Sequence, residues 1–263
     1  MTIDTILIKN SGWIWNKLRD ARKLGYQLGE ESITDFLILN IKKLGDNKLI
    51  VESFTRHKES LNGSDWEWWL TGPSGKWLGM RIQAKVLKLD IEKYEHLHHR
   101  NKNGQQVDLL VQDAAKHGMI PAYCMYTNWD PQKYNVPKRC QTHNTSVRHY
   151  GTALLSAKKV KEYQKSSETR LSKIINNLSP MHCIFCCSGY GGSDLPSRAL
   201  SFAKSNGLLP INADSLQDDT NYEQFLHDEP PYYVRQVLEN KLGDGVINMH
   251  DERLKTITVF KEV

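Results

Sequence analysis

The hydrophobic positions change period along the chain, and those changes divide it into elements. Trp13, Leu18 and Leu24 precede a second segment, Ile33, Phe36, Leu37, Ile41 and Leu44, at three- and four-residue spacing. A helix buries one face with that period, so residues 13–44 are expected to be helical, ending at Gly45-Asp46-Asn47. Beyond it the period falls to two. Leu49–Phe54, Asp65–Leu70 and Met80–Val86 read as strands, with turns at Asn62-Gly63 and at Gly72-Pro73-Ser74-Gly75. Residues 105–117 return to the helical period, with Val107, Leu110, Val111 and Ala114 on one face, and Gly118 ends them. Ile120–Tyr126 then reads as a buried strand.

This order, a helix, three strands, a helix and a strand, predicts an antiparallel meander. The crossover helix then returns the fourth strand parallel to its sheet. The expected fold class is α/β, a mixed β-sheet flanked by helices. In the second half, residues 127–150 are polar and basic with two prolines and read as a long loop. Residues 151–177 read as helical and Met181–Cys187 as a short strand. The glycines and prolines of 188–233 suggest loops and short helices, and Lys255–Phe260 reads as a closing strand. No stretch has the composition of a linker, so one domain over residues 1–263 is expected.

Composition narrows the function only slightly. The chain has 35 basic and 30 acidic residues, a net charge of +5, which permits a polyanionic partner without demanding one. No run reaches the ~18–20 apolar residues of a membrane span, so no membrane partner is expected. Asp4 interrupts the start of the chain as a signal peptide, and the odd set of five cysteines, three of them at 183–187, argues against a secreted disulfide framework. A cytoplasmic location is the resulting expectation. A phosphate loop, a nucleophile elbow and a dinucleotide fingerprint are all missing, which disfavours the metabolic enzymes that use them.

The chemistry concentrates in residues 31–85. Asp65 and Glu67 lie two apart on one predicted strand, and Gln83 and Lys85 two apart on the next, so each pair shares a face. If those strands pair, carboxylates, a neutral oxygen donor and a lysine converge, and Glu31 can approach from the preceding helix. Hard oxygen ligands suit Mg²⁺ or Mn²⁺, and a neighbouring lysine can position water and stabilise developing negative charge. The bland alternative is a solvated strand face with cross-strand ion pairs.

Asp65 followed by Gln83-Ala84-Lys85, with Glu31 on a preceding helix and this element order, resembles the PD-(D/E)XK nuclease superfamily. Gln83 stands where most members have an acid, and that departure resembles the branch of Mrr-type restriction endonucleases. The resemblance covers about residues 28–128, a restriction-endonuclease-like core (αβββαβ), and leaves about 129–263 as elaboration. It implies Asp65 as the main metal ligand, Lys85 as the catalytic lysine and Gln83 as a neutral ligand or water-orienting group. It also implies the Ala84 carbonyl and Glu31 as further ligands and Gln106 as a supporting residue, while Glu67 could supply the charge that Gln83 lacks. The function so implied is metal-dependent phosphodiester hydrolysis, on DNA rather than RNA, in bacterial defence and with a homodimer as one arrangement. The alternative is a catalytically silent module of this fold that binds nucleic acid or a partner protein.

Other residues invite functional readings of their own. Trp66 and Trp68 point away from Asp65 and are expected in the core, whereas Trp69 shares its face and is open to stacking on bases. Lys138, Arg139 and Arg148 lie in a basic stretch that could track a nucleic-acid backbone, while Lys158, Lys159 and Lys161 read as a helix exterior. Glu95-His96-Leu97-His98-His99 is histidine-dense and could bind metal or phosphate, but a run of adjacent histidines after a strand reads first as a solvated loop. Cys140-x2-His143 and Cys183-x2-Cys186 have the pair spacing of Zn²⁺ ligands, with His182 and Cys187 beside them. Cys183 and Cys186 cannot share one side of a regular strand, however, so the expectation is of small buried thiols, and zinc would require a knuckle there.

Overall fold

The structure, a computed structural model, describes residues 1–45, 64–137, 140–187, 191–209, 219–239 and 256–262. The predicted strand Leu49–Phe54 and the Asn62-Gly63 turn lie outside the described residues. The helical stretch is two helices, α1 (Ile3–Lys23) and α2 (Glu30–Leu44). They are separated where Gly25 adopts a left-handed φ of 62°, a conformation that costs glycine nothing. Helix α1 buries Ile6, Leu7, Ile14, Leu18 and Ala21, and α2 buries Ile33, Leu37, Ile38 and Ile41.

Strands β1 (Trp66–Thr71) and β2 (Trp77–Val86) form the antiparallel pair that the alternating pattern predicts. A small ribbon, β3 (Arg100–Asn101) with β4 (Gly104–Gln105), leads into helix α3 (Gln106–Lys116). Strand β5 (Ile120–Tyr126) then lies parallel to β2, so α3 is the expected crossover. Next come β6 (Thr152–Ser156), α4 (Ala157–Lys165), α5 (Leu171–Ile174), β7 (Ser179–Pro180), α6 (Cys183–Cys186) and α7 (Leu195–Ser205). The chain closes through β8 (Leu226–His227), α8 (Tyr232–Leu238) and β9 (Thr256–Lys261).

The mixed sheet runs β7-β6-β5-β2-β1-β9, with β8 pairing to β2. Beside β1 the neighbour is β9, parallel to it, so the end of the chain fills a place that a simple meander gives to an earlier strand. The elaboration therefore shares one sheet with the core.

Two expectations in the second half are corrected. Residues 152–156 are a strand, because they pair antiparallel with β5; helix begins only at Ala157, where Ser156 Oγ accepts the Lys158 N–H. Within Met181–Cys187, residues Cys183–Cys186 form a single helical turn, α6, instead of a strand.

The sheet faces differ in what covers them. Trp66 and Trp68 pack edge to face, Trp68 meets Phe260, and Phe260 meets Phe185 of α6. On the opposite face Trp69 packs with Ala114 of α3, Met119, Val234 of α8, Ile257 and Val259. Gly79 lies opposite Trp69, and a Cβ there would come within 2.9 Å of the indole and of Met119. Gly151 is where α1 presses closest: an added Cβ would sit 1.9 Å from the Ser11 carbonyl oxygen.

Candidate functional site

A cleft of about 600 Å³ opens where four elements end together. Gly29, Glu30, Glu31 and Ser32 come from the first turn of α2, and Asp65 lies immediately before β1. Gln83 and Lys85 come from the last turns of the pleat of β2, His96, His99 and Asn101 from the segment after it, and Gln106 from the first position of α3. The period-two pattern explains the pairing: Gln83 and Lys85 leave the same face of β2, and Asp65 is held beside them by its N–H, which donates to the Ile82 carbonyl at 2.9 Å.

The hydrogen bonds give Gln83 a definite orientation. Its amide NH₂ donates to Asp65 Oδ2 and, at 3.1 Å, to the Ala84 carbonyl, while the Ala84 N–H donates to the same Asp65 oxygen at 3.2 Å. With the NH₂ so engaged, Gln83 Oε1 is buried and accepts no hydrogen bond from any described residue. Gln106 Oε1 and the Tyr123 hydroxyl are in the same condition. Tyr123 is the β5 register partner of Gln83, and its phenol is pushed far above its ordinary pKa by burial, with Asp65, Asp108 and Glu30 adding to the effect. Gln83 and Gln106 both line the cleft, so each of these oxygens can accept from a polar ligand there.

Lys85 reaches the cleft with its side chain only 6% exposed, and its Nζ lies 3.6 Å from Glu30 Oε1. Glu30 is thus the residue of α2 that pairs with the lysine, with Glu31 next to it on the cleft wall. The sequence reading named only Glu31; two acids in the first turn of a helix were the available signal. Asn101 carries no signal in the sequence, whereas His96 and His99, from the histidine run weighed above, are exposed as expected of a loop and form part of the cleft wall. The arrangement can offer an ion the oxygens of Asp65 and Gln83, with the Ala84 carbonyl held next to them by the Gln83 amide, and can set a lysine ammonium beside whatever it holds.

Glu67 does not belong to this cleft. It is fully buried and ion-paired at 2.5 Å to Arg81, its cross-strand partner, which in turn contacts Asp113 of α3 at 2.9 Å. Glu67 Oε1 also accepts from Trp69 Nε1 and, at 2.6 Å, from the Tyr233 hydroxyl of α8. This part of the face shared with Asp65 is therefore sealed by α3 and α8, and Glu67 is committed to Arg81, Trp69 and Tyr233 away from the cleft. Trp69 is corrected for the same reason: at 1% exposure it cannot stack on a base.

Of the basic stretch, Arg148 is not among the residues that line the cleft. Lys138 and Arg139 lie outside the described residues. Arg148 is exposed on a short turn against α1, where its carbonyl accepts from Ser11 Oγ at 2.9 Å. Lys159 pairs with Glu162 at 2.6 Å and Lys161 with Asp108 at 2.8 Å, so these lysines are neutralised locally.

Among the described residues no helix is long and apolar enough to cross a membrane. No curated protein and no solved structure matches the chain. Residues 3–263 match the family of unknown function DUF6615, and the chain belongs to that family.

Proposed function

We propose that the cleft is a metal-dependent phosphodiesterase site acting on nucleic acid, DNA in preference to RNA. The observation that carries this reading is the buried Oε1 of Gln83, without a hydrogen-bond partner among the described residues, beside the Asp65 carboxylate and the Lys85 ammonium in one cleft. The donors fit the group: Asp65, Gln83 Oε1 and the Ala84 carbonyl are hard oxygens, the type that Mg²⁺ and Mn²⁺ prefer. When bound, such an ion supplies a lowered pKa for a coordinated water and offsets charge on the scissile phosphate.

The remaining work falls to the chain. Lys85, held by Glu30 on one side, is placed to orient the attacking water and to stabilise negative charge on the phosphate oxygens. Gln83 fixes the Asp65 carboxylate through its NH₂ and so leaves its own oxygen aimed at the ligand. Gln106 and Asn101 offer hydrogen bonds from the α3 side. The preference for DNA rests on the resemblance of Asp65, Gln83 and Lys85 to the restriction-type nuclease pattern.

The experiment is cleavage of plasmid and single-stranded substrates with Mg²⁺ or Mn²⁺, comparing wild type, Asp65→Ala and Lys85→Ala, with EDTA as control. Metal-dependent cutting that disappears in both variants is the expected result. A folded wild type that cuts nothing and gains no thermal stability from either ion would overturn it, leaving a binding module of the same architecture.

A further inference from the structure

Beside the start of α1, where Asp4 holds His143, four soft ligands from two separate stretches of chain meet. We propose that Cys140, His182, Cys183 and Cys186 hold a structural zinc ion that clips the 127–150 segment onto α6. Their ligand atoms all lie within 4.8 Å of one another.

Geometry is the first argument. With Zn–S near 2.3 Å and Zn–N near 2.0–2.1 Å, a tetrahedral site has S···S edges of about 3.8 Å and S···N edges of about 3.6 Å. Cys140 Sγ and Cys186 Sγ are 3.6 Å apart, and Cys183 Sγ is 3.8 Å from His182 Nε2. The helical turn removes the objection raised by a strand, because three residues along a helix bring Cys183 and Cys186 to one side.

The surroundings are the second argument. His182 is 1% exposed, and its Nε2 faces the Cys183 thiol. An imidazole buried beside thiols is a costly arrangement without something to bind. The His143 backbone N–H donates to Cys140 Sγ at 3.3 Å, and His143 Nε2 is itself held by Asp4 at 2.6 Å. Thr142 Oγ1 donates to the Cys186 carbonyl at 2.7 Å, tying the same two segments.

Thiolate with imidazole selects zinc over the hard cations that suit the cleft, so this site stands independently of the phosphodiesterase reading. Ion binding would release the three thiol protons to solvent and leave the metal four-coordinate and closed. Cys187 lies 3.6 Å from both Cys140 and Cys186 and is the one neighbouring thiol left outside the set.

The test is metal analysis of the full chain purified under reducing conditions without chelator. Roughly one zinc per chain is expected, with a thiolate-to-metal absorption band after exchange into Co²⁺. Cys140→Ser and Cys183→Ser should lose the zinc and the band, whereas Cys124→Ser, in β5 outside the cluster, should keep both. Cys187→Ser separates the ligand sets. Zinc retained in it and lost in His182→Gln supports the assignment, and the opposite pattern overturns it in favour of four thiolates. A wild type free of stoichiometric zinc, or a peptide map joining Cys140 to Cys186 or Cys187 by a disulfide, overturns the site altogether.

Discussion

Arg81→Met tests whether the sealed half of the β1–β2 face is structural. Arg81 is 1% exposed and stands between Glu67, at 2.5 Å, and Asp113, at 2.9 Å. Methionine fills much of the same volume but leaves two buried carboxylates without their counter-charge. Trp69 and Tyr233 still donate to Glu67, yet neither neutralises it. Removing one partner of a buried ion pair costs about 3–5 kcal/mol. At about 2–4 °C per kcal/mol for a protein of this size, the melting temperature should fall by roughly 6–20 °C. Differential scanning fluorimetry and urea titration read it directly. Glu67→Gln belongs in the same experiment, since it keeps an acceptor for Trp69 and Tyr233 while removing the charge. It should lower stability and leave any shift induced by Mg²⁺ or Mn²⁺ unchanged, because Glu67 lies outside the cleft. A melting temperature within about 2 °C of wild type for Arg81→Met would refute the energetic argument. Loss of the metal-induced shift in Glu67→Gln would refute the geometric one.

Three other outcomes follow from particular contacts. Gln83→Glu replaces a donor to Asp65 by a second carboxylate, so the metal-free protein should lose stability while affinity for Mn²⁺ rises about tenfold, read by calorimetry and thermal shift. Glu92 is raised by burial, but hydrogen bonds from Lys133 and Tyr134 and the charges of Lys133 and Arg22 outweigh this and hold its carboxyl below the ordinary value. A depressed carboxylate stabilises the fold above its unfolded pKa and loses that contribution as pH falls through the folded value. Glu92→Gln should therefore cost about 1 kcal/mol at neutral pH and flatten the acid limb of the stability curve below about pH 4.5. Gly151→Ala would drive a methyl group into the Ser11 carbonyl and to 2.7 Å from the Trp15 nitrogen. With backbone on the other side, relief requires α1 to move, so hydrogen exchange should accelerate in residues 3–23; unchanged protection would contradict the packing.

What the chain determined locally and what the fold decided can be separated residue by residue. Alternation of apolar and polar positions was enough to put Asp65, Glu67 and Trp69 on one face of β1 and Gln83 and Lys85 on one face of β2, because the side-chain period of a strand is fixed by its pleat. The helical period likewise revealed α2, α3 and the crossover to β5. Local pattern carries no information about what covers a face. Asp113 and Tyr233, far away in sequence, close over Glu67, while the mouth beside Asp65 stays open, so two carboxylates that look equivalent in the chain have opposite roles. Residues 152–156 could pass for the start of the following helix, and they became a strand because β5 offers an edge to pair with. The apolar run Met181–Cys187 had the composition of a strand, yet a single helical turn brings its thiols to Cys140. Glu30 joined the cleft through its distance to Lys85, which depends on how α2 docks against β2. Periodicity is a property of neighbours in the chain; burial, charge pairing and ligand convergence are properties of neighbours in space.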